Sequence, residues 1–268
     1  MRALRFLLIF AFWTTAMADD ERPIVDDRGE KRDGRTHRDL PTLWIAGDST
    51  VKSNGAMCGW GQEIGAFFDS QKINVANHAI GGRSSRTFFT EGRWQVLLDQ
   101  IQPGDFVLIQ FGHNDVGPPD ARSKFRGSVK GIGEETEAVE KPDGTTETVH
   151  TYGWYLREYA RTAREHGATV ILCSPVPHKA FDRQGDFVPD WVEWSPWVEQ
   201  CAKKEKALFV DLSKLVGKKY QKWGAEKVEP LFADARTHTT PEGARLNAEI
   251  LVDALKRLPG KPLRRYLR

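Results

Sequence analysis

Short apolar runs alternate with longer stretches of helical periodicity along most of the chain, and this alternation predicts the fold class. Runs of about four to eight apolar residues bounded by turn signals are typical of strands buried in a parallel sheet. Such runs predict strands at 42–46, 73–76, 105–111, 169–174 and 208–211. Helices are predicted at about 60–68, 93–101, 153–166 and 241–258. Strands that alternate with helices indicate an α/β fold with a central parallel sheet and helices on both faces.

Two stretches do not follow this alternation of strands and helices. Residues 116–150 contain several prolines and glycines, an acidic run and the turn Pro142-Asp143-Gly144. A connection of this length inside a compact domain is usually functional, so we predict a loop insertion beside the site, with room for a hairpin. The aromatic stretch Trp191 to Trp197 has two interpretations: a core-facing helical stripe, which we favour, or a sugar-stacking platform.

The first residues predict export. Residues 1–18 combine basic Arg2 and Arg5, a short apolar run and the small-residue pattern Ala16-Met17-Ala18, as in a secretory signal peptide cleaved after Ala18. A membrane anchor is the alternative, although the run is short for a span. Residues 19–40 are dense in charge and predict a flexible leader, followed by a single domain at 41–268. We therefore expect a secreted or periplasmic protein.

The net charge limits the classes of partner, and the cysteines bear on disulfides and metal sites. Without residues 1–18 the chain carries 37 basic and 37 acidic side chains, which argues against nucleic acid or an anionic membrane surface as a partner. The three cysteines, Cys58, Cys173 and Cys201, are an odd number, and their pairing is left open; Cys173 is predicted to be a buried thiol. No Cys/His spacing suggests a metal site, so neither metal nor cofactor is expected.

Polar segments at the ends of strands, and one before the last helix, contain the residue types that an acyl-transfer site needs. Ser49 follows the first strand, Gly81-Gly82 the second and Asn114 the third, and His238 precedes the last helix. Open α/β sheets keep their sites at the carboxyl ends of their strands. A serine hydroxyl needs a base to become a nucleophile, and histidine has a suitable pKa. The N–H groups of Ser49 and Gly82 and the amide of Asn114 are candidate donors to an oxyanion.

Four segments resemble the blocks of SGNH (GDSL-like) hydrolases: Gly47-Asp48-Ser49-Thr50, Gly81-Gly82-Arg83-Ser84, Gly112-His113-Asn114-Asp115 and Thr237-His238-Thr239. Over about Thr42 to Leu258 the chain is similar to the rhamnogalacturonan acetylesterase family of carbohydrate esterases. That resemblance implies a flavodoxin-like three-layer α/β/α sandwich that removes acetyl groups from pectic polysaccharide without a cofactor. It also implies Ser49 as nucleophile, His238 as base, and an oxyanion hole of Ser49, Gly82 and Asn114.

The acid of the site departs from the family pattern. In the family the carboxylate stands three residues before the histidine, where this chain has Ala235, and Asp234 lies one residue earlier. Either the loop shifts so that Asp234 reaches His238, which we favour, or the site is a Ser–His dyad oriented by a backbone carbonyl.

Neighbouring charged residues have less specific interpretations. Asp48 is expected to satisfy nearby backbone N–H groups, and His113 and Asp115 to shape the turn that carries Asn114. Arg83 and Arg86 can meet a substrate uronate carboxylate or can be ordinary surface charges.

The preferred functional hypothesis is a secreted serine esterase that deacetylates a plant cell-wall polysaccharide, with rhamnogalacturonan as the first choice. One alternative is a lipase or thioesterase of the same fold, which would need an apolar acyl tunnel. The other is a carbohydrate-binding relative that has lost turnover, favoured only by the displaced aspartate. The exact sugar and the oligomeric state stay open.

Overall fold

One parallel sheet organises the chain. The computed structural model describes residue 37 and residues 39–268, so the predicted signal peptide and most of the predicted leader lie outside the described residues. Five strands pair in the order β2-β1-β3-β6-β7, and β4 and β5 form a separate antiparallel hairpin. The strands are β1 Thr42–Gly47, β2 Asn74–Asn77, β3 Phe106–Gln110, β4 Thr136–Glu140, β5 Thr146–His150, β6 Thr169–Cys173 and β7 Leu208–Val210.

Helices cover both faces of this sheet. They are α1 Trp60–Glu63, α2 Ser85–Thr90, α3 Arg93–Leu98, α4 Tyr152–Glu165, α5 Trp194–Lys204, α6 Leu212–Trp223, α7 Ala225–Val228 and α8 Pro241–Leu255. The three-layer α/β/α architecture predicted from the sequence is confirmed. Helices α2, α6 and α7 were not predicted, because α2 and α7 are too short to show a period and α6 lies in a lysine-rich stretch.

Alternate residues of the central strands feed two separate cores. Leu43 and Ile45 point into the core shared with α1, α6 and α8, while Trp44 and Ala46 point into the core shared with α2 to α5. All four are fully buried, as expected for a strand with helices on both sides. Trp44 also donates from Nε1 to Asp105 Oδ2 (2.8 Å), which satisfies its polar atom in the core.

The register places the chemistry-bearing loops at one edge. Gly47, the last residue of β1, pairs with Gln110, the last residue of β3. Because all five strands run parallel, the loops after β1, β2, β3, β6 and β7 leave the same side of the sheet. Ser49 and Asn114 therefore emerge as neighbours although they are far apart in sequence.

The 116–150 stretch contains the β4–β5 hairpin, and Arg86 of α2 anchors it. The Arg86 guanidinium is paired with both oxygens of Glu147, at 2.7 and 2.9 Å. It also donates to the carbonyl oxygens of Pro119 and Gly127, both at 2.7 Å. Arg86 is 0% exposed and has no surface to offer a substrate, so its prediction as a substrate-binding residue is wrong.

Several other expectations can be compared with the structure. The three cysteines are buried free thiols, including Cys173. Trp194 is buried on α5, which confirms the core-facing interpretation of the aromatic stretch for that residue.

At the start of the domain, Asn74 exchanges hydrogen bonds with His37 (2.9 and 2.8 Å). No helix among the described residues is long and apolar enough to cross a membrane.

Replacing Arg86 with Met is expected to lower the free energy of unfolding by about 3 kcal/mol, because it leaves two carbonyl groups without their donor and the half-buried Glu147 carboxylate with Lys141 as its remaining ion-pair partner among the described residues. Urea unfolding followed by circular dichroism measures this. Arg122→Met is the matched control, since Arg122 pairs at the surface with Asp120 of its own loop, and its loss should stay within about 0.5 kcal/mol. Equal losses in the two variants would contradict the anchoring role of Arg86.

Candidate active site

The turn after β1 holds Ser49 in place. Gly47 is required there, because a Cβ at this position would lie 2.4 Å from Val51 Cγ2 and 2.8 Å from the Gln110 carbonyl oxygen. Asp48 Oδ1 accepts hydrogen bonds from the Thr50 N–H (2.9 Å) and the Thr50 hydroxyl (2.7 Å). Ser49 itself is partly exposed at the top of this turn.

A buried hydrogen-bond chain ties this turn to the sheet and to α1. Trp60 Nε1 donates to Gln110 Oε1 (2.8 Å), Gln110 Nε2 donates to Thr50 Oγ1 (2.7 Å), and Thr50 in turn donates to Asp48. All four side chains are buried, so each hydrogen bond also satisfies a group that water cannot reach. The chain fixes the backbone on both sides of Ser49.

Asp48 has the structural role that the sequence predicted. Its Oδ2 lies 3.4 Å from His113 Nδ1, and the side chain is fully buried. Burial acts to raise the pKa of Asp48, but His113 and the Thr50 donors outweigh it and hold the pKa below its ordinary value. His113 in turn packs edge-on against Trp191, with ring centroids 4.9 Å apart. No hydrogen bond joins Asp48 to Ser49 or His238 in the described structure.

Ser49, His238 and Asp234 form a continuous hydrogen-bonded row. Ser49 Oγ lies 2.8 Å from His238 Nε2, and His238 Nδ1 lies 2.5 Å from Asp234 Oδ2. With the proton on Nδ1, His238 presents the lone pair of Nε2 to the serine hydroxyl. The row spans 189 positions between Ser49 and His238, yet the two are neighbours because both stand at the same edge of the sheet.

The local turn around Asp234 explains its unusual spacing. Its Oδ1 accepts the backbone N–H groups of Arg236 (2.9 Å), Thr237 (2.6 Å) and His238 (3.0 Å). This arrangement curls the chain so that Oδ2 of the same carboxylate meets the ring of His238, four residues on. The loop shift predicted from the sequence therefore brings Asp234, and not a backbone carbonyl, to the histidine.

Electrostatics keep Asp234 ionised. Partial burial acts to raise its pKa, but the Arg236 N–H, the His238 ring and the N–H groups of Thr237 and His238 hold the pKa well below its ordinary value. Its carboxylate is therefore charged throughout the pH range in which a histidine titrates. Mild acidification should therefore leave Asp234 ionised.

The candidate oxyanion donors gather around Ser49. A Cβ at Gly81 would lie 3.6 Å from Ser49 Cβ, which shows how closely the glycine turn approaches the serine. Gly82 has φ +76°, a left-handed conformation that glycine adopts without strain. Asn114 Nδ2 donates to the carbonyl oxygen of Arg83 (3.1 Å), which joins the third segment to the second. The structure thus brings Ser49, Gly82 and Asn114 into one region.

Asp115 holds the turn that carries Asn114. Its carboxylate accepts hydrogen bonds from the Ser85 hydroxyl and the Ser128 hydroxyl, both at 2.6 Å, and from the Ser85 N–H. Burial raises the pKa of Asp115 to about 6, with the serine donors opposing the rise. These contacts link the turn to α2 and to the insertion, which is the shaping role expected for this residue.

A polar pocket of about 330 Å³ opens beside Gly82. Arg83 lines it, paired through Nε with Glu91 (3.0 Å). Four cationic and two acidic side chains line the pocket: Arg83, Lys124, Arg126, Lys141, Glu91 and Glu147. Lys124 and Arg126 were not predicted from the sequence, because they lie in the insertion and belong to no motif. Among the described residues, no group of three or more His, Cys, Asp and Glu side chains is placed to hold a metal ion.

The serine–histidine–carboxylate row and its surrounding donors define the chain as a hydrolase of carboxylic esters. It belongs to the GDSL-like lipase/acylhydrolase family, whose model matches residues 45–246. It is 34% identical to the probable rhamnogalacturonan acetylesterase YesY of Bacillus subtilis, over 82% of this chain and 94% of that protein. It is also 34% identical to the rhamnogalacturonan acetylesterase of Emericella nidulans, over 80% of this chain and 84% of the relative.

Solved structures agree on the fold. The Bacillus subtilis protein YxiM superposes with a TM-score of 0.65 at 27% identity, over 81% of this chain and 56% of that one. This chain therefore spans little more than half of YxiM. The acetylxylan esterase Axe2 of Geobacillus stearothermophilus has a TM-score of 0.52 at 17% identity, over 84% of this chain and 95% of that one, and supports the fold alone.

Replacing Asp234 with Asn is expected to lower kcat/KM by roughly 10³- to 10⁴-fold. Asparagine keeps an oxygen for the backbone N–H groups but turns an amide N–H toward Nδ1, which shifts the histidine proton to Nε2, where it faces Ser49. Initial rates on p-nitrophenyl acetate measure the change.

Asp143→Asn is the control for that variant. Asp143 likewise caps a tight turn, by accepting from the N–H of Thr145 (3.0 Å), but it has no histidine beside it. It should leave the rate unchanged. Wild-type activity in Asp234→Asn would instead support the Ser–His dyad.

Proposed function

We propose that the protein is a carbohydrate acetylesterase that removes acetyl groups from a plant cell-wall polysaccharide, with rhamnogalacturonan as its preferred substrate. The observation that carries the proposal is the row from Ser49 Oγ through His238 to Asp234. The names of two relatives at 34% identity, both rhamnogalacturonan acetylesterases, support the choice of substrate. The signal-peptide pattern at residues 1–18 supports a site of action outside the cytoplasm.

Acylation begins at the serine. His238 Nε2 accepts the proton of the Ser49 hydroxyl as Oγ attacks the acetyl carbonyl carbon. The ionised Asp234 holds the Nδ1 proton and stabilises the imidazolium that forms. The carbonyl oxygen becomes an oxyanion, which the N–H groups of Ser49 and Gly82 and the amide of Asn114 stabilise.

Collapse of this intermediate breaks the ester bond. His238 gives its proton to the departing sugar oxygen, which leaves as a hydroxyl group, and Ser49 stays acetylated. Water then enters, His238 takes one of its protons, and the resulting hydroxide attacks the acetyl-serine. Breakdown of the second oxyanion releases acetate and returns the proton to Ser49 Oγ. No metal is needed for either half-reaction.

The pocket beside Gly82 favours an acidic polysaccharide. Cations outnumber carboxylates in its lining, and it adjoins the position where the acetylated sugar must sit. Glu147 is neutralised by buried Arg86 as well as by Lys141 (2.8 Å), so its charge opposes an anion weakly. Lys124 is exposed and has no carboxylate partner among the described residues. A uronate carboxylate fits this field better than a neutral sugar does.

The alternatives have less support. A lipase or thioesterase needs an apolar tunnel at its serine. A largely apolar cavity of about 400 Å³ is lined by Phe187, Trp191 and their neighbours and by neither Ser49 nor His238. A carbohydrate-binding relative without turnover was favoured only by the displaced aspartate, and Asp234 contacts His238 directly.

Ser49→Ala is expected to lower acetate release from acetylated rhamnogalacturonan by at least about 10⁴-fold, because the hydroxyl that forms the intermediate is gone. Acetate is measured enzymatically, with acetylated xylan as the second polymer and thermal unfolding as the check on folding. The wild-type protein should prefer the pectic polymer, and p-nitrophenyl acetate over the octanoate. Substantial activity in a folded Ser49→Ala variant, or no release from either polymer by the wild type, would refute the proposal.

Lys124→Gln is expected to raise KM for acetylated rhamnogalacturonan about two- to fivefold, the range for an exposed ion pair, and more at low salt than at high salt. KM for an acetylated xylan without uronic-acid side chains should change less, because that polymer has no carboxylate for Lys124 to bind. Lys130→Gln, another exposed lysine of the same insertion, is the control. Equal changes on both polymers would argue against carboxylate recognition in the pocket.

A further inference from the structure

Arg126 contacts Asn114 and the Gly82 backbone, which are two parts of the proposed oxyanion hole. Its Nη1 donates to Asn114 Oδ1 at 3.0 Å and lies 3.5 Å from the carbonyl oxygen of Gly82. A Cβ at Gly82 would lie 3.6 Å from the same nitrogen. One guanidinium therefore adjoins two of the three segments that supply the proposed donors.

Hydrogen bonds stabilise the turn that precedes Arg126. Lys124 and Phe125 both have φ +58°, an uncommon conformation for residues with a Cβ, and it reverses the chain just before Arg126. Ser123 Oγ accepts the N–H of Gly127 (3.0 Å) and donates to the carbonyl oxygen of Pro118. The backbone strain is thus held by hydrogen bonds on either side of the turn.

The chain after Arg126 is equally constrained. A Cβ at Gly127 would lie 2.0 Å from the Gly117 carbonyl oxygen, so the two backbone segments cross in direct contact. The Gly127 carbonyl oxygen accepts from buried Arg86 (2.7 Å), and the next residue, Ser128, donates to Asp115 (2.6 Å). Arg126 therefore projects from a rigid support toward Asn114.

The contact determines which way the Asn114 amide faces. A guanidinium has only donors, so the atom that meets Arg126 must be the carbonyl oxygen Oδ1. Nδ2 then faces away, where one N–H is donated to the Arg83 carbonyl oxygen (3.1 Å); the second has no acceptor among the described residues and can meet an oxyanion. Among the described residues Arg126 has no carboxylate partner, so its charge is not neutralised at this position.

We propose that Arg126 is a positioning residue that orients the Asn114 amide and strengthens it as an oxyanion donor. The inference rests on the proposed function, because it assumes that Asn114 meets the oxyanion. A charged donor on Oδ1 polarises the amide, so that Nδ2–H carries more positive charge toward the developing negative oxygen. The effect belongs to the transition state and should appear in kcat, with little change in KM.

A double-mutant cycle on p-nitrophenyl acetate tests this. The neutral ester has no carboxylate, so binding of an acidic group in the pocket does not contribute. Asn114→Ala should lower kcat by about 10²- to 10³-fold. Arg126→Met should lower kcat about tenfold, the value of one charge-assisted hydrogen bond, with KM within about twofold. In the Asn114→Ala background, Arg126→Met should lower kcat by less than about twofold, because the residue through which it acts is already gone.

Arg122→Met is the matched control, since it removes an exposed arginine of the same loop that pairs only with Asp120 among the described residues, and it should leave kcat unchanged. If Arg126→Met does not fold, Arg126→Gln, which keeps an uncharged donor, completes the same cycle. Thermal unfolding of each variant shows which ones are folded.

The two proposals fail in different ways. An unchanged kcat in Arg126→Met, or the same tenfold loss with and without Asn114, would overturn the role of Arg126 while the esterase mechanism stands. An unchanged kcat in Asn114→Ala together with activity in Ser49→Ala would overturn the mechanism itself.

Discussion

The buried hydrogen-bond chain from Trp60 through Gln110 and Thr50 to Asp48 is the constraint on which the site depends. It joins helix α1, the end of strand β3 and the turn after β1, and all four side chains are buried. Because an unmade hydrogen bond there would leave a buried polar group unsatisfied, the turn has one stable conformation. That conformation presents Ser49 to a histidine that arrives from the far end of the chain.

Polar contacts join the insertion at 116–150 to helix α2 and to the turn after β3. Arg86 binds its hairpin and two of its carbonyl oxygens, and Asp115 binds Ser128 within it. The loop that supplies Arg126 is therefore fastened to the same helix, α2, that follows the glycine turn. The insertion thus adds a charged wall beside the segments that carry the serine, the glycine turn and the asparagine.

The five strands of the parallel sheet, helices α1, α3, α4 and α8 and the three residues of the hydrogen-bonded row could be predicted from the sequence, because apolar runs and polar segments at element ends are local signals. Asp234 shows the limit of spacing arguments: its distance from His238 in sequence departs from the family pattern, and only the turn around its Oδ1 explains how it reaches the ring.

Arg86 and Arg126 show a second limit. Adjacent charged residues look alike in sequence, and burial against Glu147 distinguishes Arg86 from Arg83 only in three dimensions. Arg126 follows two residues with positive φ that are neither glycine nor asparagine, so no turn signal marks its position.

The turn at 234–238 has a consequence for motion. His238 and Asp234 lie on the same five-residue segment, and the Asp234 carboxylate that contacts the imidazole also accepts the backbone N–H of His238. The two side chains are therefore expected to move together. If this segment shifts to admit a bulky polymer, the imidazole keeps its contact with the Asp234 carboxylate, and with it the proton on Nδ1. Such a shift would lengthen the contact from His238 Nε2 to Ser49 Oγ while the contact from His238 Nδ1 to Asp234 is kept.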